Sequence, residues 1–309
     1  MASFLALASL SIFLQQSPAV VEPVKQPAPD PKAVASSGYV PERVYDTGRK
    51  SFADFEVMLA DLSTADVVFV GEQHDDPNTH RLEAAILEGL KRRSVAPVLS
   101  LEMFERDVQA SVDAYLEGST TEEEMLKVSR PWPRYRTDYR PLVELAKANG
   151  WPVIAANVPR RIAAAVAKGG QAALSSVPEE DRALVSPDLE CPEDAYFERF
   201  AKSMGSHPAP EQTAEQQRAM TERYYWSQCV KDETMAESIA AALERSKPVV
   251  HYNGAFHSDF GLGTAERIRR RLPGKRIVIV SMLPVGNLDG LMPSGEDLLR
   301  ADYLVFTVK

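Results

Sequence analysis

A short apolar run that stops at glycine constrains this chain more than any other feature. Val67-Val68-Phe69-Val70 leads into Gly71-Glu72-Gln73-His74-Asp75-Asp76-Pro77. Three of the first four residues are β-branched, which reads as a buried strand. Asp76 takes a preferred N-cap position and Pro77 the first position of a helix over roughly residues 78–93. Leu82, Ala85, Ile86 and Leu90 then share one face of that helix. A strand, a glycine elbow bearing a carboxylate and an imidazole, and a helix is how open α/β sheets present chemistry at strand ends. An ordinary turn with a solvated histidine would look the same. The pattern returns, however, at Val249-Val250-His251-Tyr252-Asn253-Gly254-Ala255-Phe256-His257. Two Gly-x-x-His elbows, each behind an apolar strand, favour a site over two incidental turns.

Between and after these copies, strands alternate with helices. Residues 96–104 form a strand carrying Glu102, followed by helices over 106–117 and 121–128. A strand over 151–157, a helix over 160–168, a long helix from about 211 to 245, a helix over 264–271 and strands over 276–282 and 303–308 complete the order. A helix over 51–62 precedes the first central strand. This predicts an α/β fold: a mostly parallel central sheet with helices on both faces. Residues 169–210, rich in proline and acidic residues, read as a helical insertion or lid. On the long helix, Met235, Ile239 and Leu243 mark a buried face, and Tyr224-Tyr225-Trp226 read as core and interface.

The first 20 residues resemble a secretory signal: Phe4 to Leu14 is apolar but too short to span a bilayer, and small residues follow. Residues 21–44 are proline-rich and read as a tether, leaving 45–309 as the folded domain. Export is the expectation, although no cysteine lies near a cleavage point to take a lipid. Cys191 and Cys229 either form one disulfide or are two buried thiols. A net charge of −9 gives a nucleic-acid role no electrostatic support. No Gly-x-Ser-x-Gly elbow, phosphate loop or dinucleotide fingerprint occurs.

If both elbows and Glu102 sit at the ends of neighbouring parallel strands, His74, His257, Glu72 and Glu102 converge. Two imidazoles and two carboxylates suit a divalent transition ion (Zn, Mn or Fe) better than Ca or Mg, which prefer oxygen alone. Asp75, His80, His251 and Asp259 are candidates to orient such ligands, and Asp232 lies upstream of the buried helix face. Without metal, the same set could run general acid/base chemistry. Each residue also has a plain reading: Glu102 paired with Arg106, His80 on a helix surface, His207 in solvent. The stretch Arg130 to Arg140 packs four arginines and three aromatics into eleven residues. It could clamp a haem, with Arg134 and Arg136 on the propionates and Tyr135 or Tyr139 on the iron. It also reads as a proline-stiffened loop pairing with the chain's acids.

Five blocks then carry a resemblance: residues 69–75 (FVGEQHD), 101–105 (LEMFE), 154–160 (IAANVPR), 231–236 (KDETMA) and 253–257 (NGAFH). Over about residues 45–309 the chain resembles the ChaN family, haem-binding uptake lipoproteins of a wider Tiki and erythromycin-esterase-like superfamily. The resemblance implies haem binding in iron uptake by a homodimer enclosing two stacked haems with tyrosine as iron ligand. It implies a periplasmic or outer-membrane location with peripheral membrane association. The enzyme branch of the superfamily implies instead a metal-dependent peptidase or esterase, with His74, His257 and Glu102 on the ion and Glu72 as general base. The chain departs from the lipoproteins in lacking their lipid-acceptor cysteine.

Overall fold

A computed structural model describes residues 40–205, 213–245 and 248–309. The signal-like segment, nearly all of the tether and His207 lie outside the described residues. The folded unit spans Val40–Lys309.

The chain opens with strands β1 (Glu42–Asp46) and β2 (Ser51–Ala53), helix α1 (Phe55–Leu62), strand β3 (Val67–Glu72) and helix α2 (Pro77–Arg92). Strand β4 (Val98–Glu105) leads to helices α3 (Gln109–Leu116), α4 (Glu122–Ser129), α5 (Tyr135–Asp138) and α6 (Arg140–Asn149). Strand β5 (Val153–Asn157) and helices α7 (Arg160–Gly169), α8 (Ala195–Gly205) and α9 (Ala214–Arg245) come next. Strand β6 (Val249–Gly254), helix α10 (Gly263–Arg271) and strands β7 (Ile277–Val285) and β8 (Tyr303–Val308) end the domain. Among the described residues, no helix is long and apolar enough to cross a membrane.

The eight strands form one sheet in the order β2-β1-β8-β7-β3-β6-β4-β5. The six strands from β8 to β5 run parallel, and β1 and β2 add an antiparallel edge. This is the expected α/β class. Strand periodicity sorts β3 cleanly: Val68 and Val70 face a core with α1, α2 and α6, and Val67 and Phe69 face α9 and α10.

Two expectations change at the start of the domain. The predicted helix over 51–62 splits, because Asp54 caps α1 by accepting from the Glu56 amide while Ser51–Ala53 pairs with β1. The folded part also begins before residue 45, since Glu42 already pairs with Thr307. In the insertion, Val185 and Leu189 pack with residues of α7 and α9, and a disulfide joins Cys191 to Cys229 of α9, resolving the open alternative.

Candidate functional site

Register builds the site. Glu72 lies beside Gly254 across β3 and β6, while β4, carrying Glu102, lies on the far side of β6. Both elbows and Glu102 therefore sit at adjacent C-terminal strand ends.

Each elbow needs its glycine because of the other elbow. A Cβ at Gly71 would come within 3.0 Å of the Ala255 Cα, and one at Gly254 within 2.7 Å of His74 Nε2. Backbone thus packs on backbone at the first contact, and the His74 ring lies against bare backbone at the second.

The inner half is a buried relay. Glu102 Oε2 accepts from the Gly254 amide at 2.8 Å, and Oε1 is 3.3 Å from His257 Nε2. His257 Nδ1 meets Asp232 Oδ1 at 2.7 Å. Asp232 also accepts from the Thr264 hydroxyl at 2.7 Å and the Tyr196 hydroxyl at 2.9 Å. Burial works against charge on His257, but Glu102 and Asp232 overcome it and its pKa is pushed up to about 10. Burial likewise opposes ionisation of Glu102, yet the His257 charge and hydrogen bond hold its carboxyl well below the usual range. Burial pulls the Lys231 ammonium down against the attraction of Glu102 and Asp232.

The outer half is open on one side. His74, with 43% of its side chain exposed, gives Nδ1 to the fully buried Glu72, whose Oε1 also accepts from the Tyr139 hydroxyl at 2.8 Å. Burial opposes charge on His74, and the hydrogen bond and charge of Glu72 raise its pKa despite that. Trp132 meets the imidazole edge-on, with ring centres 5.0 Å apart.

The other candidates fall in distinct places. Asp75 stands exposed on the elbow. His251 is wholly buried, its Nδ1 2.9 Å from the Ser100 hydroxyl, and burial pushes it down to about 3. It is a neutral core histidine whose hydrogen-bond partner is Ser100, so it does not steady either elbow imidazole through a hydrogen bond. Asp259 is held by Ser281 at 2.7 Å and by Arg300. Arg106, offered as a plain partner for Glu102, reaches Glu237 and Ser238 on α9 instead. His80 is buried rather than on a helix surface, because its face of α2 packs toward β3.

Arg134, in the left-handed region at φ 64°, pairs with Asp138 at 2.8 Å and reaches the His74 carbonyl. Arg136 is exposed, 4.0 Å from Glu122. Tyr135 and Tyr139 are buried; burial, followed by nearby carboxylates, raises both phenol pKa values, and the Tyr139 hydroxyl is turned inward to Glu72. Around the elbow, His74 and Arg134 are exposed and Trp132 is partly so. Among the described residues, the set of three whose donor atoms all lie within 4.8 Å of one another is Glu72, His80 and Glu83, not His74, His257 and Glu102. Glu83, Tyr196 and Thr264 escaped the reading of the sequence. For Glu83 a signal existed, since it lies three residues after His80 on the same helix face.

Comparison with known proteins fits this geometry to a family. A family profile described as haem-binding uptake, Tiki superfamily, ChaN, matches residues 58–268. The chain is 26% identical over 259 residues to Protein RETICULATA-RELATED 5, chloroplastic, of Arabidopsis thaliana, covering 80% of this chain and 34% of that protein. The chain thus spans about a third of the length of that relative. Among solved structures, ChaN of Campylobacter jejuni, described for its cofacial haem binding, superposes with a TM-score of 0.63 at 18% identity. That superposition covers 87% of this chain and 97% of that one, and it shows a shared fold. By sequence profile over most of its folded domain, the chain belongs to the haem-binding ChaN family of the Tiki superfamily.

Proposed function

We propose that this protein binds haem at the open rim of the first elbow and serves iron uptake outside the cytoplasm. One observation carries the reading: a half-exposed imidazole, His74, is backed by a buried carboxylate, meets Trp132 edge-on and has the Arg134 guanidinium on its carbonyl, with exposed Arg136 two residues on. A haem brings iron, a flat apolar macrocycle and two propionates. His74 offers a nitrogen donor oriented by Glu72, Trp132 offers ring surface, and the arginines offer charge to the carboxylates. Membership of a haem-binding family supports the same assignment. The Cys191–Cys229 disulfide supports export, because such bonds persist in oxidising compartments. The proposal includes a homodimer, since a rim with one open side covers only one face of a planar ligand.

A haemin titration of the full chain, followed by Soret absorbance, tests this. A saturable shift is expected, weakened in His74→Ala and in Trp132→Ala; no shift, or a shift indifferent to both, overturns it.

The buried relay favours a second reading: acid/base hydrolysis, with His257 held charged between Glu102 and Asp232 as proton donor and Glu72-backed His74 as base. Ester or amide cleavage lost in His257→Gln, with haemin binding retained, would establish it.

A further inference from the structure

Beneath the open elbow, behind Glu72, lies a second polar cluster whose His80 and Glu83 neither reading uses. His80 sits one turn into α2, 3% exposed at its side chain, and Glu83 three residues on is fully buried. His80 Nδ1 is 2.9 Å from Glu83 Oε2 and 3.5 Å from Glu72 Oε2. Its other nitrogen, Nε2, faces the His74 carbonyl at 3.2 Å and Asp138 Oδ2 at 3.4 Å. Both of those are acceptors, so Nε2 carries a hydrogen, while Nδ1 on the other side faces carboxylate oxygens that a proton or a metal ion must bridge. Two buried oxygens of the cluster, Glu72 Oε2 and Glu83 Oε1, have no hydrogen-bond partner. Acceptors gathered around a common point are satisfied by a proton or a metal ion among them.

We propose that Glu72, His80 and Glu83 form a buried site for one divalent transition-metal ion. The imidazole is already oriented as a ligand, giving Nε2–H to a backbone carbonyl and leaving Nδ1 for the metal. One nitrogen and two carboxylate oxygens suit Zn, Mn or Fe, and two carboxylates neutralise a doubly charged ion in a site without solvent. The competing occupant is a proton: burial, and then the neighbouring Glu72 charge, raise the Glu83 pKa well above the carboxylate range. The site would place the ion behind Glu72, whose other oxygen holds His74, so the two halves of one carboxylate would serve metal and imidazole. This assignment stands independently of haem binding.

The test is metal analysis of the full chain, stripped with chelator, reloaded separately with Zn and Mn, and passed over a sizing column. About one ion per chain is expected in the native protein and in His257→Gln. Glu83→Gln, which keeps shape and removes a ligand charge, should lose more than the roughly 10–100-fold in affinity that an outer-shell change costs. Absence of bound ion in the native chain means a shared proton only and overturns the site, as does full occupancy in Glu83→Gln. Should Glu83→Gln fail to fold, cobalt titration of the native chain decides: visible d–d bands rising to about one equivalent support the site, and their absence overturns it. Haemin titration of metal-stripped protein separates this result from the haem reading.

Discussion

The elbows after β3 and β6 share Gly-x-x-His yet hold their imidazoles under opposite conditions. His74 is half open to solvent with one carboxylate behind it, while His257 is buried between two. The difference lies in how the chain continues past each histidine. After His74, Asp76 and Pro77 start α2 at once, and the ring stays on the rim. Gly254-Ala255-Phe256-His257 instead turns as a single 3-10 turn beneath α9, where Asp232 waits. The same four-residue pattern thus gives a ligand-facing group in one place and a fixed charge in the other. The chemistry of a motif is set by the element that closes over it.

Breaking the buried half should cost most. Asp232→Ala removes one partner of a buried ion pair and strands the Thr264 and Tyr196 hydroxyls, so a loss of about 3–5 kcal/mol is expected in urea unfolding. An effect under about 1 kcal/mol would mean that the relay is solvated and the contrast between elbows is false. Next come the glycines. Gly71→Ala drives a Cβ into the Ala255 backbone and should cost about 1–3 kcal/mol. Gly254→Ala meets the mobile His74 ring instead, so it should cost less stability and reduce haemin binding more.

The pH dependence sharpens the same contrast. The folded pKa of His257 lies above its unfolded value near 6.5, so its contribution is complete below pH 6.5 and is lost as pH rises toward about 10. Stability should fall by up to about 1.4 kcal/mol per pH unit across that window, and His257→Gln should flatten the curve. The opposite sign belongs to His251, whose folded value is pushed down to about 3: its contribution is complete above pH 6.5 and lost as acid is added. The smallest expected effect is on the rim. His74→Gln, which keeps a donor toward Glu72, should cost under about 1 kcal/mol in unfolding experiments.

The sheet and both elbows were legible in the sequence because they depend on local features: runs of β-branched residues, glycines at strand ends, and the Asp76-Pro77 cap. Asp232 stood out by position alone, upstream of the Met235–Ile239 face. The roles of the aromatics were not legible. Tyr139 in a loop full of arginines suggests a ligand, and only the packing of α5 and α6 against α2 shows its hydroxyl turned inward to Glu72. His80 misled in the other direction: a polar residue early in an amphipathic helix suggests solvent, but 80, 83, 87 and 90 share the face that packs on the sheet. The disulfide depended on a separation of 38 residues, which says nothing about distance until the insertion folds back on α9.

The strand order also sets a sequence of events in time. Strand β6 lies between β3 and β4, although almost 150 residues separate it from the nearer of them along the chain. A chain emerging from the ribosome can pair β4 with β5 early, but the slot beside β3 stays open until β6 is made. Closing so long a loop is slow compared with forming helices. The elbows therefore meet late, and until then β3 and β4 expose unpaired apolar edges of the kind that recruit other chains. Truncations ending before residue 249 should accumulate as aggregates rather than as a smaller folded domain, and a partner that shields those edges during synthesis would raise the yield of the complete protein.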